Sequence, residues 1–128
     1  MSTENGILNE SHVAAEDLSS DQYKYVVLGS TGVRRPDSED EVPLGILQNA
    51  PAAGEAANVM EIGRSKLQVN GAVAVGDFVG PEYVSAADAG KGKKVDISKG
   101  AAMVIEAASA EDDLASVMLG PKRCGLGT

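Results

Sequence analysis

The stretch from Val42 to Val79 constrains the fold most, because short runs of β-forming residues alternate in it with glycine turns. Its first run ends at Pro51, which has no N–H to donate to a strand ladder. Two more runs follow, Asn58–Ile62 and Ser65–Val69, and Gly63 between them indicates a bulge or bend. The pattern predicts a succession of short β-strands.

Asn70-Gly71 is the most specific turn signal in this stretch. A two-residue type I′ hairpin needs positive φ at both central positions, and Asn and Gly tolerate that best. The strands on either side are therefore predicted to pair antiparallel. Val73 and Val75 alternate with small residues after the turn, so they are predicted to lie on a strand as core residues or as subunit contacts.

Similar runs lie outside this stretch. One of them, Ala101–Ala107, fits a strand or a helix by periodicity, and its short length and preceding glycine favour a strand. The other predicted strands are Gln22–Leu28, Val95–Ile97 and Leu114–Leu119, the last one entered through a turn at Glu111-Asp112-Asp113. About seven or eight short strands at regular spacing indicate an all-β sandwich or small barrel.

Three segments are predicted along the chain: an extended N-terminal arm over residues 1–20, a β-domain over 21–121 and a flexible tail over 122–128. The arm is polar with scattered apolar residues, which indicate docking on a partner, although plain disorder is an open alternative. These candidate contacts are Ile7, Leu8, Val13 and Leu18. Deleting residues 1–14 is expected to leave the β-domain folded.

Alanine makes the predicted core thin. Hydrophobic residues are 43% of the chain but aromatic residues only 3%. Each buried alanine stabilises the fold little, because its side chain is small and burial contributes roughly 25 cal/mol per Å² of apolar surface. Such a domain is expected to gain stability from assembly. Cys124 is the only cysteine, which excludes an internal disulfide.

The formal net charge of −8 argues against direct nucleic-acid binding, which normally needs clustered Lys and Arg. No apolar run approaches the ~20 residues of a membrane helix, and the N-terminus lacks the pattern of a signal peptide. The expectation is a protein made in a cytoplasm, with no membrane partner.

Catalytic motifs are missing. The only histidine, His12, lies in the polar arm, and the chain has no HExxH, CxxC or GxSxG motif. Asp77 and Asp96 are the only candidate bases, and Asp77 fits a turn better. The acidic loop at 37–41 fits no known calcium loop. We therefore expect no enzyme, catalytic residue, cofactor or metal.

The order of four segments resembles the small head-decoration, or capsid cement, proteins of tailed bacteriophages. These segments are AEDLSSDQYKYVVL, PLGILQNAPAAGEAANVMEIGRSKLQVNG, VGDFV and SVMLGP. The resemblance implies a tulip-like β-domain, commonly a homotrimer, on the outer surface of the icosahedral head. It also implies that the N-terminal arm contacts the major capsid protein. The Lys91–Lys94 loop and the tail with Cys124 match no pattern of that family, so their role stays open.

The expected function is thus that of a structural virion protein, made in the bacterial host cytoplasm, which cements the shell by bridging capsid subunits. The alternative is a ligand-binding or hammerhead-type carrier module. A carrier needs a lysine in a tight hairpin, which Val59-Met60-Glu61 lacks. A ligand-binding module would normally expose aromatics, and the chain offers only Tyr23, Tyr25, Phe78 and Tyr83.

Overall fold

The computed structural model describes residues 5–38, 41–85, 89–96 and 100–119, with side chains from residue 8 onward. All regular structure in these residues is β-strand, so the all-β prediction is confirmed. The strands are β1 Asn5–Val13, β2 Tyr25–Gly29, β3 Gly32–Arg34, β4 Gly45–Leu47, β5 Ala56–Gln68, β6 Phe78–Pro81, β7 Gly92–Val95, β8 Ala102–Glu106 and β9 Leu114–Leu119. The predicted tail over 122–128, Cys124 and Ile97 lie outside the described residues.

A single sheet in the order β3-β2-β4-β5-β9-β8-β6-β7 contains these strands, and β1 also pairs with β5. Every strand pairing is antiparallel. β5 has 13 residues and contacts β1, β4 and β9. The two runs predicted on either side of Gly63 are therefore one strand. Gly63 has φ of 130°, and the β1–β5 register shifts just beside it, as the predicted irregularity requires.

The hairpin predicted at Asn70-Gly71 is wrong. β5 pairs with β9 instead, with Leu67 opposite Ala115, and residues 72–76 form no strand. Only isolated bridges remain there, from Val69 to Gly92 and from Val73 to Ala108. The physical reason is burial: β9 brings three buried apolar side chains to the edge of β5, whereas residues 72–76 are mostly alanine and glycine.

Predictions near the C-terminus are confirmed more closely. β9 has the predicted bounds, and β8 pairs with it antiparallel after a turn in which Asp112 has φ of 70°. β7 begins earlier than predicted, at Gly92, so Lys93 and Lys94 lie in a strand. The start of β2 also differs from the prediction, since this strand begins at Tyr25 and not at Gln22.

Two apolar cores lie on opposite faces of β2, β4 and the first half of β5, because side chains alternate along a strand. The first core contains Tyr25, Ile46 and Met60, and the second contains their neighbours Val26, Leu47 and Val59. Burial on both faces explains why these segments are almost continuously apolar in the sequence.

The first core is the larger, and the sheet curls around it. Closure comes from the loop before β7, where the Tyr25 N–H donates to Gly90 O at 2.8 Å. The buried Tyr25 hydroxyl also donates to the Val79 carbonyl at 3.2 Å across this core. One tyrosine thus ties β2 to β6 and satisfies its own polar group.

The second core is closed by β1 and the residues that follow it. Ala14 bridges Val33 of β3, and the Ala15 N–H donates to the Val33 carbonyl at 2.8 Å. Ala14 and Leu18 are both buried in this core. Residues 5–18, predicted as part of an extended arm, therefore contribute a strand and core side chains to the sheet.

Contact between β1 and β3 requires glycine at position 32. Gly32 has φ of 137°, and a Cβ atom there would lie 2.1 Å from the Val13 carbonyl oxygen. Any side chain would force the end of β1 away from β3.

The loop after β3 is held by a forked ion pair. Arg34 donates to both carboxylate oxygens of Glu41, at 3.2 and 2.6 Å. The Asp37 N–H donates to the same carboxylate at 2.8 Å. Hydrogen bonding from Arg34, with smaller contributions from Asp37, lowers the pKa of Glu41 to about 2 although partial burial opposes the shift.

We expect this pair to make stability depend on pH. A carboxylate with a lowered folded-state pKa stabilises fully above its ordinary value of 4.5 and loses that contribution as the pH falls toward 2. Glu41→Gln should cost about 1–2 kcal/mol at pH 7, allowing for partial exposure to solvent. Urea unfolding of both proteins between pH 2 and 7 should give curves that converge at low pH. Asp96→Asn, at an exposed position away from this loop, is the control and should change little. Parallel curves for Glu41→Gln would contradict the assignment.

Candidate docking surface

An apolar row crosses the outer face of the sheet on β6, β8 and β9. Phe78 lies opposite Met103, and Met103 lies opposite Met118. Directly paired residues share one face of a sheet, so the three side chains, called here the methionine row, are neighbours. Met103 is 39% and Met118 42% exposed. Their sequence neighbours Ala102, Val104, Val117 and Leu119 point inward and are buried.

Polar groups border the methionine row. Arg64 lies opposite Met118 and donates to Glu106 at 2.8 Å. The Ser116 hydroxyl donates to the same Glu106 oxygen at 2.9 Å. These bonds, that of Ser116 first, lower the pKa of Glu106. Asn5 of β1 pairs with Arg64 on its other side, so the face continues from the row to the start of β1.

Such a surface suits binding of another protein. Adjacent exposed apolar side chains with a polar border are typical of interaction sites. Methionine is unbranched and polarisable, and it adapts its shape to irregular partners. Sequence reasoning missed this row, because only the pairing of three strands brings its members together.

The four predicted arm contacts do not all lie on the surface. Leu8 and Val13 lie on β1 and are exposed. Ile7 also lies on β1, and its side chain is outside the described residues. Leu18 requires a correction, because its side chain is fully buried in the second core. Its N–H donates to Pro51 O at 2.9 Å, which folds the segment after β1 back onto that core and removes Leu18 from the possible surface contacts.

Val73 and Val75 also differ from each other in exposure to solvent. Val73 is 5% exposed and belongs to the first core, held by backbone hydrogen bonds with Ala108. It therefore fits the core alternative. Val75 is 67% exposed and remains available as a contact.

The lysines of the Lys91–Lys94 segment do not form one basic patch. Lys91 is buried and its Nζ lies 2.6 Å from Asp112 Oδ1. Lys94 is exposed, with its Nζ 3.6 Å from Asp77 Oδ1. The alternation of the segment around β7 separates these charges, and both are matched by carboxylates.

A second polar cluster lies where β1 pairs with β5. His12 Nε2 is 3.5 Å from Glu61 Oε2 and 3.7 Å from Glu10 Oε1. Burial, then the neighbouring Glu10 carboxyl, raises the pKa of Glu61, and His12 partly offsets the rise. The sequence indicated only that His12 lies in the polar arm. The signal that would have revealed the cluster is the period-two spacing of Glu10 and His12 in a strand.

No protein-family model and no curated protein matches the chain. In fold the chain is similar to the N base of the head fiber gp8.5 of bacteriophage phi29, whose crystal structure is known. The TM-score is 0.63 at 15% sequence identity, over 88% of this chain and 93% of that chain. At this identity the likeness establishes a shared fold. No helix in the described part of the chain has the length and apolarity to span a membrane.

Proposed function

We propose that this chain is a structural protein of a phage virion that binds the outer surface of the head and cements it. The observation that carries the proposal is the shared fold with the base of a phage head fiber, over 88% of the chain. The methionine row supports it, since this surface offers a partner an adaptable apolar contact.

The proposed mechanism is bridging of neighbouring major capsid protein subunits. The row and the exposed Leu8 and Val13 of β1 belong to different strands, so they are able to contact different subunits. Two linked contacts bind far more tightly than either alone, provided that both engage at once. A homotrimer on the head would multiply these contacts, and the alanine-rich core stands to gain from such assembly.

The carrier alternative gains no support from the structure. A carrier lysine must project from a tight hairpin, whereas Val59-Met60-Glu61 lies in the middle of β5. The β4–β5 and β1–β5 pairings occupy the strand at this point.

We expect the purified protein to bind expanded shells in preference to unexpanded ones and to raise the rupture temperature of DNA-filled heads. The double variant Met103→Asp/Met118→Asp should bind at least about 10-fold more weakly, because two charges would be desolvated in the contact. Val42→Asp/Val84→Asp is the matched control, since it makes the same charge change at two exposed positions off the row. Sedimentation with shells measures binding, and heating of the decorated heads measures cementing.

Equal binding to both shell forms would contradict the expected preference for expanded shells. An unchanged rupture temperature would exclude cementing while leaving head binding intact. Full binding by Met103→Asp/Met118→Asp, with binding by Val42→Asp/Val84→Asp reduced, would show that the docking surface is not the methionine row.

A further inference from the structure

The cluster of Glu10, His12 and Glu61 offers three metal-ligating side chains from two paired strands. Their ligand atoms all lie within 4.8 Å of one another. Glu10 and His12 are two residues apart on β1 and thus share a face. Glu61 reaches the same place from β5 beside a register shift, where Leu8 pairs with Ile62 but Asn9 pairs with Met60. Glu61 therefore has no paired residue on β1, and such bulges change the direction in which a side chain points.

We propose that these three side chains bind one divalent transition-metal ion, of which Zn²⁺ is representative, and that the ion ties β1 to β5. Two ligands of a tetrahedral Zn²⁺ ion, each about 2.1 Å from the metal, lie about 3.4 Å apart. The separations from His12 Nε2 to Glu61 Oε2 and Glu10 Oε1 are 3.5 and 3.7 Å. The ion fits between these atoms with little side-chain movement.

Charge favours a cation at this place. Two carboxylates face one imidazole, and within the described residues neither carboxylate pairs with Lys or Arg. Even a protonated His12 leaves the cluster with an excess negative charge. One imidazole with two carboxylates is a donor set for Zn²⁺ and similar ions, whereas oxygen ligands alone would suit Ca²⁺ or Mg²⁺. Three protein ligands leave the fourth position to water.

The consequence concerns the second core. Ala14, the residue that follows β1, is buried in that core, and His12 is two residues before it. An ion bound to the folded protein alone stabilises it according to its concentration and affinity. Zinc would therefore hold the first strand in place, and this inference does not depend on the proposed binding to a phage head.

The test is calorimetric titration of the full chain with ZnCl₂ in a Cys124→Ser background, which removes the only thiol. We expect one ion per chain with micromolar affinity. His12→Gln and Glu61→Gln should each weaken binding at least about 10-fold. Glu111→Gln, an exposed carboxylate elsewhere, is the control and should bind normally.

Two further readouts separate a site from a fold defect. His12 is the only histidine, so its imidazole NMR signals report directly on coordination and should shift with saturating Zn²⁺. Amide exchange in β1 should slow when the ion binds. Glu10→Gln, at an exposed position, should keep the fold while losing affinity. Millimolar binding that these variants leave unchanged, or imidazole signals that do not move, would overturn the proposal and leave a metal-free ion pair.

Discussion

Replacing Val73 with aspartate is expected to lower the free energy of unfolding by about 3–5 kcal/mol, because a carboxylate would be buried without a partner. Val73 is 5% exposed and belongs to the first core. Val75, two residues on, is 67% exposed. The same replacement there should change stability by less than about 0.5 kcal/mol. The two variants carry the same charge change, so the difference isolates burial.

Chemical unfolding monitored by circular dichroism measures both effects. A marginally stable domain with the Val73→Asp change would be largely unfolded in buffer, and it would fail to decorate heads for that reason alone. Head binding by Val75→Asp then reports on surface contact without that complication. Similar stabilities for the two variants would show that Val73 does not lie in a closed core.

Deleting residues 1–14 is expected to destabilise the protein by at least about 3 kcal/mol, since it exposes an edge of β5 and opens an apolar core. The sequence predicted the opposite, an intact β-domain. The structure supplies the reason for the change, because β1 pairs with β5 from Asn5 to Val13 and Ala14 closes the second core. Thermal melts should show a markedly lower midpoint for this deletion.

Val13→Thr, at an exposed position of β1, is the control and should leave the midpoint nearly unchanged, because it spares the backbone pairing of β1 with β5. Gly32→Ala tests the same closure without a deletion, since its Cβ would lie 2.1 Å from Val13 O. Both closure variants should speed amide exchange around Val26 and Leu47 of the second core. If both closure variants melt and exchange like the intact protein, residues 1–14 are dispensable for the stability of the β-domain.

The sequence by itself determined the fold class and the places where the chain turns. Period-two apolar runs and turn residues are local, so β8, β9 and the turn near Asp112 were predictable. The abundance of alanine among the buried residues was also readable from composition. β1 was not predictable from the sequence, because its apolar residues are few and its stability comes from pairing with β5 rather than from its own pattern.

Only the tertiary structure decided which strands pair. Asn70-Gly71 has the strongest local hairpin signal, yet β9 occupies the edge of β5 because it buries more apolar surface there. Pairings between residues far apart in the chain are set by such differences in burial, which no local window contains. They also decide which side chains meet. The methionine row and the cluster around His12 exist only because Met103 faces Met118 and β1 lies against β5.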